Sequence, residues 1–102
     1  MVILSRRNPL VKELVSLKEK KGRRERGTFL VEGVKMVREA VAAGLEVVRL
    51  IVREDYAGET YSLPAVTLGV DVFAAVSDEK TPQGIAAEVV IPAHAVQPPK
   101  GR

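Results

Sequence analysis

Residues 28 to 33, Thr28, Phe29, Leu30, Val31, Glu32 and Gly33, follow directly on the basic run Lys20, Lys21, Gly22, Arg23, Arg24, Glu25, Arg26 and Gly27. Residues 28 to 31 read as a short buried strand, and Glu32 and Gly33 close it where a new pattern begins. Val34, Val37, Val41 and Leu45 then recur at helical spacing, and Gly44 supplies a stop. A cation-dense segment that feeds a strand and then a helix points to an α/β scaffold holding positive charge in a fixed place.

Upstream of this junction, Asn8 can cap a helix and Pro9 suits its first turn. The cap side chain accepts an orphan amide, and proline has no amide to leave unpaired. Leu10, Val11, Leu14 and Leu17 form the apolar stripe, which turns Lys12, Glu13, Ser16, Glu19 and Lys20 toward water. Gly22 and Gly27 bracket the arginines and interrupt the helical pattern, so residues 21 to 27 are expected to form a mobile loop.

Downstream, Val47, Val48, Leu50, Ile51 and Val52 make an apolar run broken only by Arg49, as in a central strand covered on both faces. Residues 53 to 62 are polar and predict a loop or short helical turn. Ala65 to Leu68 predict a strand, Asp71 to Val76 a short helix carrying Val72, Phe73 and Val76, and Ile85 to Ile91 a last strand. This alternation predicts a small layered α/β domain over residues 1 to 91 with a largely parallel central sheet. The proline-rich stretch from Pro92 to Arg102 reads as a linker.

The 102 residues suffice for one core, and 46% hydrophobic with 28% charged residues describe a globular chain. The absence of Cys excludes disulfides and thiol chemistry. No stretch approaches the ~20 apolar residues that cross a bilayer, so no membrane partner is expected and the location is expected to be cytoplasmic. Residues 1 to 38 hold 11 Lys and Arg against 4 Glu, and residues 39 to 102 hold 5 against 9 acidic groups. A balance of +7 therefore stands beside one of −4 in a chain of net charge +3. Clustered cations create a local potential that attracts a polyanion; the alternative is a solvated helix face followed by a flexible basic loop.

Catalytic groupings are scarce. The one histidine, His94, lies in the proline-flanked tail, so neither a Ser–His pair nor a His metal pair can form, and phosphate-cradling and dinucleotide glycine motifs are absent. Thr81, Pro82, Gln83 and Gly84 read as a tight turn before a strand of small residues. Gln83 could read a base edge or sugar hydroxyl, because its amide both donates and accepts. Glu32, just before a helix, is expected to stabilise the positive end of the helix dipole.

Ser5, Asn8, Pro9, Val11 and Lys12, then Arg23, Gly27, Phe29, Val31, Glu32 and Gly33, then Glu39 and Ala40, and last Ser77, Asp78, Thr81, Pro82, Gln83, Gly84, Ile85 and Ala87 carry a resemblance. In order and spacing they resemble the substrate-binding domain of SpoU-type RNA ribose 2′-O-methyltransferases, over residues 3 to 91. The resemblance implies a three-layer α/β/α sandwich with a small, largely parallel mixed sheet, similar to the kink-turn-binding ribosomal proteins. It implies a parent enzyme that methylates ribosomal or transfer RNA, with S-adenosylmethionine bound by a C-terminal catalytic domain absent from this chain. The parent is expected to be a homodimer. This chain is expected to hold no catalytic residue, cofactor or metal.

Arg6 and Arg7 before the first helix, Lys12 and Lys20 along it, and Arg23, Arg24 and Arg26 in the basic loop are the expected phosphate contacts. Arginine suits that task because its planar fork presents two donors to a phosphate. Lys35 and Arg38 stand at the helix start that faces RNA in the similar ribosomal proteins, and Lys80 and Gln83 are further candidates. With few aromatics, and both Phe residues in core patterns, recognition is expected to rest on shape. Two other functions fit the same residues: a free-standing ribosomal-protein-like RNA-binding module, and a structural module that docks without touching RNA.

Overall fold

A computed structural model describes residues 1–92. The segment expected to be a linker, with His94, lies outside the described residues apart from Pro92. The elements run β1 (Val2–Ile3), α1 (Pro9–Ser16), α2 (Lys20–Arg26), β2 (Thr28–Glu32), α3 (Val34–Ala42), β3 (Val47–Arg53), β4 (Ala65–Leu68), α4 (Val70–Val76) and β5 (Ile85–Val90). The strands form one mixed sheet in the order β1-β4-β3-β5-β2. The β1-β4-β3 half is parallel, and β5 runs antiparallel to both β3 and β2. Strand β1 was not anticipated, because two residues are too few to display a period.

The period of two along β3 and β5 divides the core into two layers. Ile51 and Ala86 face a cluster with Val11, Leu14 and Leu17 of the first helical segment, Leu68, and Val72, Phe73 and Val76 of α4. Leu50, Val52, Ile85, Ala87 and Val89 face the other way, against Val37 of α3 and the partly buried Phe29 and Val31. Helices therefore cover both faces, and the α/β/α sandwich that the family resemblance implies is present. Strand β3 is central and covered on both sides, as its apolar run predicts.

Helix α1 begins as expected: the Asn8 side chain accepts from the Leu10 amide at 2.9 Å, and Pro9 occupies the first turn. Asn8→Ala should cost about 1 kcal/mol in unfolding free energy, measured by urea denaturation, because that amide then loses its acceptor. The helix ends earlier than its periodicity suggests, at Ser16, and Lys20 opens a second helix.

That second helix corrects the expected loop. Lys, Arg and Glu are good helix formers, and cations in a last turn complement the negative end of the dipole, so residues 20 to 26 continue helically through Gly22. Gly27 is the stop: at φ 72° it takes the left-handed turn and donates its amide to the Arg23 carbonyl at 2.8 Å. Gly22 is buried because α2 turns back on the end of α1. A β-carbon there would lie 2.0 Å from the Ser16 carbonyl oxygen.

Glu32 has a role other than the one expected, and Gln83 has a structural one in addition. The two Glu32 oxygens accept from the Ser77 hydroxyl at 2.6 Å and the Asp78 amide at 2.7 Å, so the carboxylate fastens the end of β2 to the exit of α4. The start of α3 is closed instead by Gln83, whose Oε1 accepts from the Val34 amide at 2.6 Å. The turn through Pro82 and Gly84 thus presents Gln83 to the first turn of α3, and Gly84 adopts φ 87°.

Candidate nucleic-acid interface

Helix α2 is the most cationic element, and its arginines divide into two groups. Arg23 Nη1 donates to the Leu17 carbonyl at 2.9 Å. Arg26 reaches Glu13 at 2.8 Å and Glu88 at 2.9 Å. Both are half-buried and hold the helix against the body of the domain. Lys20, Lys21 and Arg24 are exposed on the same helix, and Lys12 is exposed on neighbouring α1. The cations available to a ligand are therefore displayed by a clamped helix, so ordering them on binding loses less entropy than ordering a loop.

The clamp ends on Glu88, which has no solvent exposure. Its Oε1 accepts from Arg49 at 2.8 Å, and its Oε2 accepts from Arg26 Nε at 2.9 Å and from the buried Thr28 hydroxyl at 2.7 Å. Glu88 and Arg49 are cross-strand partners in the β3/β5 register. A buried carboxylate carries a large desolvation penalty, which here is offset by two guanidinium groups and a hydroxyl. The hydrogen bond from Arg26 to Glu88 in turn holds the guanidinium more firmly protonated than usual. Glu88 was missed from sequence. The available signal was one acid in the apolar run of β5 and one base in that of β3.

Beside this clamp two clefts follow the free edge of β2. The first, about 440 Å³, lies between the α1–α2 corner and the strand, with Leu17, Lys18, Arg23, Leu30, Glu32 and Asp78 in its wall. The second, about 320 Å³, lies at the start of α3 and is lined by Gly33, Lys35, Met36, Thr81 and Gln83, with Glu32 shared between the two. Lys18 and Asp78 approach to 3.9 Å at the first cleft. The edge of β2 is thus bordered by mixed charge, whereas α2 carries mostly positive charge.

The nine expected phosphate contacts do not form one patch. Arg7, Lys12, Lys20 and Arg24 are exposed on the α1/α2 side. Arg6 is exposed and donates to the Asp71 carbonyl of α4 at 3.1 Å, which ties it to the same layer. Arg23 and Arg26 have the internal partners described above. Lys35 and Arg38 are exposed on α3, in the opposite layer, and Lys35 lines the second cleft, where none of the other expected cations lies. Lys18 and Lys21, not singled out from sequence, are exposed and join the first group. Among the described residues no group of three or more His, Cys, Asp or Glu could hold a metal ion, and no helix is long and apolar enough to cross a membrane.

Comparison with known proteins places this geometry. Residues 8–87 match the family model for the MRM3-like substrate binding domain. The 23S rRNA (guanosine(2553)-2′-O)-methyltransferase RlmP of Bacillus subtilis is 33% identical over 93 residues, which is 88% of this chain and 38% of that protein. The crystal structure of an RNA 2′-O ribose methyltransferase superposes with a TM-score of 0.82 at 28% identity, covering 100% of this chain and 42% of that one. An AdoMet-bound rRNA methyltransferase from Sinorhizobium meliloti shares the fold, with a TM-score of 0.71 at 21% identity over 88% of this chain and 36% of its own. The chain therefore spans about two fifths of the length of such relatives. It belongs to the family of MRM3-like substrate binding domains, whose relatives include SpoU-type RNA 2′-O-methyltransferases.

Proposed function

We propose that this domain recognises ribosomal or transfer RNA and positions it for ribose 2′-O-methylation by a separate catalytic domain of its parent protein. The observation that carries this reading is the exposure of Lys20, Lys21 and Arg24 on a helix whose other arginines are tied to the domain. Such a helix presents cations at fixed spacing, which suits the phosphates of a folded RNA better than those of a flexible strand. Family membership supports an RNA substrate, since the relatives named above are RNA methyltransferases. In the parent, S-adenosylmethionine is held by the catalytic domain, as the AdoMet-bound relative suggests. This domain binds and orients. The parent acts as a cytoplasmic homodimer.

The test is removal of the free cations with the clamp left in place. In the Lys20→Ala, Lys21→Ala, Arg24→Ala variant, the slope of log K for RNA binding against log salt should become shallower by about 2, because up to three phosphate contacts are lost. Circular dichroism should show the fold unchanged. An unaltered slope would leave the cationic helix without a part in RNA binding.

A further inference from the structure

We propose that the free edge of β2 pairs with the β2 edge of a second copy of this chain, antiparallel about a two-fold axis through Val31, so that two domains share one continuous sheet. This goes beyond the RNA-recognition reading and does not depend on it.

The hydrogen-bond pattern fixes what the edge offers. In an antiparallel pair, residues that exchange backbone bonds with the partner strand alternate with residues whose N–H and C=O point away from it. The Gly27 carbonyl accepts from the Ile91 amide at 2.9 Å, and the Gly33 amide donates to the Ile85 carbonyl at 2.9 Å, at the two ends of the β2/β5 ladder. The register between them, Phe29 on Val89 and Val31 on Ala87, gives the bonds to β5 to the odd-numbered residues. Thr28, Leu30 and Glu32 therefore turn their backbone groups outward, and β2 is the outermost strand on that side. Among the described residues no hydrogen bond to those outward groups is found. Thr28 is buried, so the usable edge runs from Leu30 to Glu32, both half-buried.

Sheet edges are commonly blunted by short strands, Lys, Pro or bulges. The opposite edge follows that rule, since β1 has two residues. Strand β2 has five, Thr-Phe-Leu-Val-Glu, with no Pro, no Lys and no register shift against β5. An edge of that length and regularity is a template for another strand.

Charge favours a copy of the same edge. Arg23 stands at its start, where the Arg23 carbonyl accepts from the Gly27 amide, and Glu32 and Asp78 stand joined at its end. An antiparallel two-fold arrangement brings the start of one edge beside the end of the other, so base and acid are matched on both sides of the axis. Leu30 then lies opposite Glu32 of the second copy and exchanges both backbone bonds with it, and the axis repeats that pair. Val31 meets its own counterpart on the α3 face. Leu30 packs on the other face, beside the 440 Å³ cleft, which leaves room for side chains of the added strand. The axis stands perpendicular to the sheet, so the α2 helices of both copies lie on one face of the pair.

Sedimentation equilibrium of the 102-residue chain, from micromolar to millimolar concentration, should show a monomer–dimer equilibrium. Amide exchange on the same samples should find Phe29 and Val31 protected throughout, and Leu30 and Glu32 protected only where the dimer is populated. Leu30→Pro removes an outward N–H and no bond to β5, which is the setting in which an edge strand accepts proline. It should weaken the dimer about tenfold, because the axis makes the loss occur twice, with an unchanged circular dichroism spectrum. A chain that is monomeric at every concentration overturns the inference, and so does a dimer whose Leu30 and Glu32 amides stay open to exchange. Protection of those amides that does not change on dilution also overturns it, because the chain would then cover its own edge. The exchange result is read on the unaltered chain and decides the matter even if the proline variant fails to fold. None of these outcomes touches the RNA-recognition reading.

Discussion

Glu88→Ala should lower the unfolding free energy by about 3 kcal/mol, read as a shift of the urea midpoint with an unchanged slope. Three donors converge on this carboxylate, from Arg26, Arg49 and Thr28. Removing the acceptor leaves the Thr28 hydroxyl, which is 6% exposed, without a partner. It also leaves two guanidinium groups beside a cavity in the core. Truncating one member of a buried ionic network typically costs about 3–5 kcal/mol. The lower figure applies here because Arg26 and Arg49 are about a quarter exposed and can turn to water. Against a total stability of about 5–15 kcal/mol this is a large share. Glu88→Gln should cost less, because the remaining carbonyl can still accept from Thr28 or one arginine. A loss below about 1 kcal/mol for the alanine variant would mean that desolvation cancels the network and that α2 is held by other contacts.

The second large effect is expected from Gly22→Ala. In an ordinary helix this change is favourable by about 1 kcal/mol. Here the new β-carbon would stand 2.0 Å from the Ser16 oxygen and 2.6 Å from its carbon, both backbone atoms. Neither can rotate aside, so α2 must lift from the end of α1. Lifting separates Arg23 from the Leu17 carbonyl and draws Arg26 away from Glu88. The net cost should reach about 3 kcal/mol, the upper part of the range for overpacking. Amide exchange should localise it: protection should fall across residues 20 to 26 while β3 and β5 stay protected. RNA affinity should fall along with it, since Lys20, Lys21 and Arg24 would then have to be ordered on binding. A stable variant with a protected α2 would show that the α1–α2 corner can absorb a methyl group.

The two variants address the link between fold and proposed function from opposite ends. One removes the anchor that α2 grips, and the other removes the close approach that lets it grip. Both leave the exposed cations in the sequence. Reduced RNA affinity in either would therefore report the fixed display of charge and not its amount.

Much of this architecture is legible in the chain itself, because it rests on local periodicity. The apolar stripe of α1, the Asn8 cap, the left-handed stop at Gly44, the doubly covered run of β3 and the small residues of β5 each place their element to within a residue or two. Their alternation is enough for a small layered α/β domain, since helices that follow strands must cover a face of the sheet, and the three-layer α/β/α arrangement is what the family resemblance implies. The enrichment of cations before residue 39 is equally plain. Local pattern does not carry the partners of groups distant in the chain. Arg26 and Glu88 are 62 positions apart, and Val34 and Gln83 are 49. Whether an arginine meets a phosphate or a buried carboxylate depends on what the folded chain brings to its tip. The same holds for Gly22, which reads as a breaker until the end of α1 is seen to lie against it. Periodicity settles which residues are inside; long-range contact settles which of the polar ones are left free to bind, because a charge satisfied within the protein has less to offer a ligand.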